Sequence, residues 1–324
     1  AGAELIDMEM VQFHPTGAVY PYDARGRLIT EAVRGEGGVL KNRLGERFMK
    51  NYDPDRMELS TRDVVSRAIA TEIAAGRGTP RGGVWLDVTH LPKEQIETRL
   101  PVMLEQFLKF GVDIRTEPME VAPTAHHIMG GIRITPECKT TLPGLFACGE
   151  SAGGVQGANR LGGNALADTQ VFGKRAGEYA AKAEKRVKKI DRDQIARVEK
   201  QIDRYLAGTE KPAVVRDELQ KAMWKGAGIF RDEAGLKNTL AVVNRLMQAP
   251  LKASSPKNLA ECWIIGNMCL TASLICRSAL IRPESRGANT RVDISQEWDA
   301  AHSPYGHTYI SLNREGIEKR GVKA

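Results

Sequence analysis

Apolar and polar positions alternate imperfectly over residues 4–13, Glu-Leu-Ile-Asp-Met-Glu-Met-Val-Gln-Phe, which predicts a strand running into a turn at His14-Pro15-Thr16-Gly17. Val64, Val65, Ala68, Ile69 and Ile73 then recur near a 3.6-residue period, so a helix capped by Ser60 or Thr61 is expected to end at Gly76. Val84–Val88 has the composition of a strand. Residues 93–110 have a helical pattern, with Pro101 at a break or a new first turn. Residues 121–135 predict a loop entering a strand. The apolar run Leu145-Phe146-Ala147-Cys148 predicts a buried strand that delivers Glu150 at its carboxyl end, where cofactor contacts gather in α/β sheets. From residue 165 the pattern is mostly helical, broken near 190, 207–213 and 249–256. Residues 259–281 are apolar enough to raise a membrane span. Glu261, Asn267 and Arg277 interrupt them, so a buried bundle helix and no direct span are expected. The tail from Arg282 is irregular and carries Arg286, Arg291, Trp298, His302 and His307.

Composition narrows the class. With 324 residues the chain has ample length for a core and for more than one domain. Its 47 basic and 40 acidic residues give a net charge of +7. No Lys/Arg block is interleaved with aromatics, which argues against nucleic acid as a partner. The basic cluster of Lys174, Arg175, Lys182, Lys185, Arg186, Lys188 and Lys189 is mixed with acids and fits a solvated helix face. The five cysteines are odd in number and form no CxxC pair, so neither a disulfide framework nor a zinc site is expected. Cys262, Cys269 and Cys276 repeat every seven residues and fall on one helix stripe. Small buried core residues are expected there, not cluster ligands.

The richest chemistry lies in residues 156–168, Gln-Gly-Ala-Asn-Arg-Leu-Gly-Gly-Asn-Ala-Leu-Ala-Asp. Glycines let backbone approach a ligand closely, and Asn164 is placed to cap a helix over Ala165–Ala181, whose start favours an anionic group. Arg160 offers a planar fork that matches a carboxylate. Other segments hold His14, Thr30, Glu31, Arg34, Arg62 and His126 beside glycine or at helix starts. Each has an ordinary alternative: His14 as a turn cap, His126 as a core histidine, Glu31 with Arg34 and Arg62 with Asp63 as surface ion pairs. A small diacid, in contrast, needs several such donors brought together.

Six motifs occur in one order: Phe13-His14-Pro15-Thr16-Gly17, Thr30–Gly38 (Thr-Glu-Ala-Val-Arg-Gly-Glu-Gly-Gly), Glu58-Leu59-Ser60-Thr61-Arg62-Asp63, Pro123-Thr124-Ala125-His126, Cys148-Gly149-Glu150 and Gly157–Asn164. In this the chain resembles the flavoprotein subunit of succinate dehydrogenase and fumarate reductase, closely from about residue 5 to 180. The likeness is looser through to Arg282-Pro283-Glu284-Ser285-Arg286-Gly287. The resemblance implies FAD-dependent interconversion of succinate and fumarate, with hydride exchanged at flavin N5 and a proton passing through Arg62. It implies Glu31 and Arg34 as the proton relay, and His14, Thr30, His126 and Arg160 as the groups holding the dicarboxylate. Gly149, Glu150, Asn164, Ala165 and Leu166 are implied as cofactor contacts, Glu150 at the ribose and Ala165-Leu166 at the flavin pyrimidine.

The implied fold is α+β with α/β character: the end of an FAD-binding segment (1–10), a capping domain (11–125), and the second segment of a Rossmann-like FAD-binding domain (126–182). A helical domain (183–281) and a tail (282–324) follow. An iron–sulfur subunit is the implied partner, with the chain cytoplasmic or held peripherally at the membrane through partner subunits. Gln156, Ala165, His127 and Asn289 depart from residues common in the family. No strand–GxGxxG–helix unit is present, so the first nucleotide-binding segment is expected upstream of residue 1, leaving the FAD site incomplete. An L-aspartate oxidase-like enzyme, or a non-catalytic fragment that only docks partner subunits, are the alternatives.

Overall fold

The structure is a computed structural model that describes residues 2–183, 192–294 and 303–319. Trp298, His302, Lys185, Arg186, Lys188, Lys189 and the expected break near 190 lie outside the described residues. The strands are β1 (Leu5–Ile6), β2 (Val11–Tyr20), β3 (Val39–Lys41), β4 (Val84–Asp87), β5 (Met119–Ile128), β6 (Gly131–Arg133), β7 (Ala152–Gly153), β8 (Phe230–Arg231), β9 (Thr290–Arg291), β10 (Tyr305–Ile310) and β11 (Glu315–Lys319). The helices are α1 (Glu31–Gly35), α2 (Arg62–Glu72), α3 (Lys93–Arg99), α4 (Pro101–Leu108), α5 (Asn164–Lys182), α6 (Arg192–Leu206), α7 (Pro212–Ala227), α8 (Glu233–Leu246) and α9 (Pro256–Ile281). The chain divides into two compact units, Val11–His127 and a second made of Ala1–Met10 with Ile128–Ala324.

In the Val11–His127 unit a four-stranded sheet runs β2-β5-β4-β3. Val65, Ala68 and Ile69 of α2 pack into its core with Leu40, Phe48, Leu86, Ile96, Ile114 and Met119. The 3.6-period stripe thus buries the face that the pattern marked. Thr61 is the residue before α2, but its side chain makes no capping bond. Pro101 starts α4 as its first residue, where no N–H is needed for the helix ladder. Two expectations fail here. His14-Pro15-Thr16-Gly17 is not a turn but lies inside β2, and Pro123–His126 is not a loop but lies inside β5. The backbone stays extended because tertiary partners hold it: Ile29 donates to the Thr16 carbonyl and Ala18 to that of Arg27, while β5 flanks the other side. Gly17 is required by this packing, since a Cβ there would sit 2.8 Å from Thr124 Cγ2.

In the second unit a five-stranded mixed sheet runs β11-β10-β1-β6-β7, antiparallel except where β6 meets β7. The expected strand at Leu145–Cys148 is absent. That segment makes only a bridge between Lys139 and Phe146, because the turn at Leu142–Leu145 folds it back onto residues 138–140. Glu150 sits instead in a 3₁₀ turn, Gly149–Ser151, ahead of β7. Helices α7, α8 and α9 pack together around Val215, Leu219, Val243, Leu246, Ile265 and Ala272. Cys262, Cys269 and Cys276 are all buried along α9, as small core residues. By length and composition α9 could cross a membrane; its buried stripe packs into the bundle.

The hairpin β10–β11 is tied to β1 by charge as well as by its ladder. His307 Nδ1 pairs with the Asp7 carboxylate, and Arg133 pairs with Glu4 and Glu318. The hydrogen bond to Asp7 raises the His307 pKa above its ordinary value, against the opposing effect of burial. A raised folded-state pKa means that this contribution is fully present below the unfolded value of about 6.5 and is lost as pH rises through the folded one. Amide exchange in β10 is therefore expected to be faster at about pH 8.5 than at about pH 6 after correction for intrinsic rates. His307→Asn is expected to remove that difference, and identical protection at both pH values would refute the coupling.

Candidate active site

The two units carry different chemistry. In the Val11–His127 unit, the start of α2 places Arg62 beside α1 and β2. Arg62 Nε and Nη2 donate to Glu31 Oε2 at 3.1 and 2.9 Å, and its Nη1 donates to Gln12 Oε1 at 3.2 Å. Arg34 Nη2 lies 3.9 Å from the same Glu31 oxygen. Arg62, Glu31 and Arg34 thus form a row in which one carboxylate oxygen joins two guanidinium groups. Glu31 is half exposed, whereas Arg34 is buried. Burial lowers the Arg34 pKa from its ordinary value, Arg62 adds to this, and Glu31 opposes it. Arg34 Nη1 also donates to the Glu58 carbonyl. Glu58 is buried; its burial would raise its pKa, but Arg47 and the Leu40 N–H outweigh that and hold it low.

His14 and His126 stand on neighbouring strands with their rings 5.3 Å apart, edge to face. The Thr16 hydroxyl donates to the Ile29 carbonyl at 2.8 Å, and the Thr16 N–H donates to His14 Nδ1 at 3.3 Å. The Thr16 hydroxyl oxygen also lies 3.3 Å from His14 Nδ1, so Thr16 holds the ring through both groups. Thr30 is exposed at the start of α1. The sequence-predicted residues Arg62, Glu31, Arg34, His14 and His126 are therefore linked through β2, β5, α1 and α2, with Thr30 next to Glu31. Gln12 and Glu58 also belong to this cluster, although the motifs did not single them out. Gln12 shares the face of β2 with His14, a signal present in the two-residue period. Glu58 opens the Glu58–Asp63 motif, and nothing local marks its carbonyl as the seat of Arg34.

In the second unit, residues 154–168 wrap the start of α5. Asn164 is the first residue of the helix and not its cap, as the sequence pattern had it: Gly163 occupies the cap position at φ 80°, a left-handed conformation that disfavours any side chain. Asn164 Nδ2 instead donates to Gln156 Oε1 at 2.8 Å, and Gln156 Nε2 donates to Asp168 Oδ2 at 2.8 Å. Arg160 is buried in this loop, and Glu150 Oε1 accepts from the Ile128 N–H at 3.0 Å. Leu161 and Leu166 expose 73% and 76% of their surface beside the helix start. A 19-residue helix whose first amide groups lack intrahelical partners, with exposed apolar side chains around it, fits a flat, electron-accepting ring carrying carbonyl oxygens. Asp168 Oδ1 is buried and has no hydrogen-bond partner among the described residues. Ala165 can contribute only backbone there, and Gly149 turns the chain at φ 64° ahead of Glu150.

The FAD binding domain model matches residues 1–166, and the fumarate reductase flavoprotein C-terminal model matches residues 216–322. The chain is 57% identical over 312 residues to a fumarate reductase (CoM/CoB) subunit of Methanothermobacter marburgensis, covering 92% of this chain and 56% of that one. It is 38% identical over 346 residues to the 8-methylmenaquinol:fumarate reductase flavoprotein subunit of Wolinella succinogenes, covering 100% of this chain and 55% of that one. A structure of the E. coli quinol fumarate reductase flavoprotein carrying one substitution superposes with a TM-score of 0.88 at 36% identity, over 100% of this chain and 60% of that one. The chain spans little more than half the length of these relatives. By its matched domains, its relatives and its fold, the chain belongs to the succinate dehydrogenase/fumarate reductase flavoprotein family of FAD-dependent oxidoreductases.

Proposed function

We propose that this chain, as part of a complete flavoprotein, works in the FAD-dependent reduction of fumarate to succinate, the reverse reaction using the same groups. The observation that carries this reading is the Arg62–Glu31–Arg34 row, in which one Glu31 oxygen joins two guanidinium groups. Bound FAD would supply the hydride at N5. Arg62 delivers the proton to the other alkene carbon, Glu31 returns a proton to Arg62, and Arg34 connects Glu31 onward. A guanidinium is a poor acid in water, with a pKa above about 12. Glu31, bonded to Arg62 through Nε and Nη2, stands where a proton can be returned to it. His14, His126 and Thr30 donate to substrate carboxylates, and Arg160, by its motif, takes the same part as a bidentate fork.

Gly149, Glu150, Asn164, Ala165 and Leu166 are the chain's proposed contacts to FAD. Fumarate is the favoured substrate because the motifs, the C-terminal family model and relatives named as fumarate reductases support it; L-aspartate oxidation is the less favoured reading. By analogy with the CoM/CoB-named relative, electrons would come from a thiol pair through an iron–sulfur partner subunit, with the assembly cytoplasmic and any membrane attachment made by partners.

The complete protein, purified with its native partner subunits, is expected to show a flavin spectrum and to oxidise reduced viologen when fumarate is added. Thiol-dependent turnover should follow with coenzyme M and coenzyme B. Flavin-free protein without fumarate-dependent oxidation would overturn the reading and leave a docking module.

A further inference from the structure

We infer that Asp168 and Gln156 are positioning residues that set the polarity of an amide relay ending at Asn164, so that Asn164 offers an acceptor to an imide-type N–H of the cofactor. This rests on the proposed FAD site. Gln156 and Asp168 are 8% and 5% exposed, whereas Asn164 is exposed at the first turn of α5. Asp168 Oδ2 accepts from Gln156 Nε2 at 2.8 Å. Asp168 Oδ2 therefore obliges Gln156 to present Nε2, which turns Gln156 Oε1 toward Asn164. Asn164 must answer with Nδ2, and its Oδ1 becomes the atom left to accept. One buried acid thus decides, over two amides, which end of a surface side chain meets the ligand. The relay also ties residue 156 to 164 and 168, closing the loop that holds Arg160. An oxidised isoalloxazine carries a single ring N–H, flanked by two carbonyl groups. Such an edge matches an acceptor at Asn164 beside the open amide groups of the helix start.

The test uses the complete flavoprotein and the FAD dissociation constant, read by flavin fluorescence, together with the unfolding midpoint of the apoprotein. Asp168→Asn allows both amides to invert and is expected to weaken FAD binding about tenfold, the effect of one mismatched buried hydrogen bond. The swapped double variant, Asn164→Asp with Asp168→Asn, runs the relay in reverse and restores an acceptor at position 164. It is expected to return affinity to within about twofold of the unsubstituted protein. A purely structural role for Asp168 would move the unfolding midpoint and would not be rescued by the swap. Gln156→Leu cuts the relay in the middle and should reproduce the loss of about tenfold, so the test stands even if the Asp168 variant does not fold. Unchanged affinity in Asp168→Asn, or a swap that fails to rescue, overturns the relay while leaving the FAD site in place. An unsubstituted complete protein that binds no FAD would instead overturn the proposed function.

Discussion

Arg62→Lys in the complete enzyme is expected to lower fumarate reduction by about a hundred- to ten-thousandfold, the range supplied by a positioned general acid. Flavin absorbance should not change. Arg62 uses all of its guanidinium nitrogens at once: Nε and Nη2 on Glu31 Oε2, and Nη1 on Gln12 Oε1. A lysine has one nitrogen on a flexible stem. It can keep its charge near Glu31, but it cannot hold both partners and also aim a proton at substrate. The loss should fall on kcat more than on KM, because the missing interaction belongs to the transition state. The measurement is steady-state oxidation of reduced viologen by fumarate. Retained turnover would reject Arg62 as the acid, and an equal loss of flavin would mean that the fold, not the proton, had been disturbed.

Arg282→Met is expected to cost about 3–5 kcal/mol of stability, the penalty for leaving buried charge unpaired. Arg282 is 1% exposed and is shared by three carboxylates, Asp7, Glu9 and Glu284. Glu284 also takes Arg286 and the Ser303 hydroxyl, and Thr308 donates to Glu9. The guanidinium gains: burial would lower its pKa, but Glu9, Asp7 and Glu284 together raise it. Methionine fills similar volume and pairs with none of the acids. Arg282→Lys should recover only part of the loss, since one ammonium cannot reach all of them with good geometry. Urea unfolding of the complete protein reads both; a midpoint unmoved in Arg282→Met would show the network to be dispensable.

The candidate site residues were legible in the chain as a set because the motifs that hold them are local. Glu31 and Arg62 open two helices, Arg34 closes the first of them, and the helical period of residues 64–73 already assigns α2 its buried face. The helices after residue 192 and their breaks near 207–213 and 249–256 follow from apolar periodicity and punctuation. What misled was also local. His-Pro-Thr-Gly and Pro-Thr-Ala-His have turn and loop composition, yet both lie within long strands because neighbouring chain supplies their hydrogen bonds. Asn164 has the chemistry of a cap, but Gly163 takes the cap position and Asn164 turns to Gln156. Propensity is a preference of about a kilocalorie, and a tertiary partner outweighs it.

The chain by itself determined which residues stand in the six ordered motifs, since spacing along one polymer is all that a motif requires. It also determined the buried stripe of α9, because a seven-residue repeat of cysteines falls on one helix face. Only the tertiary structure decided that Gln12 touches Arg62, 50 residues away in the chain, and that one Glu31 oxygen serves two guanidinium groups. It alone decided that Asp7 and Glu9 share a core with Arg282, 275 and 273 residues further on. Such contacts depend on long loop closures whose entropic cost is offset only when the whole core forms, so no local pattern announces them.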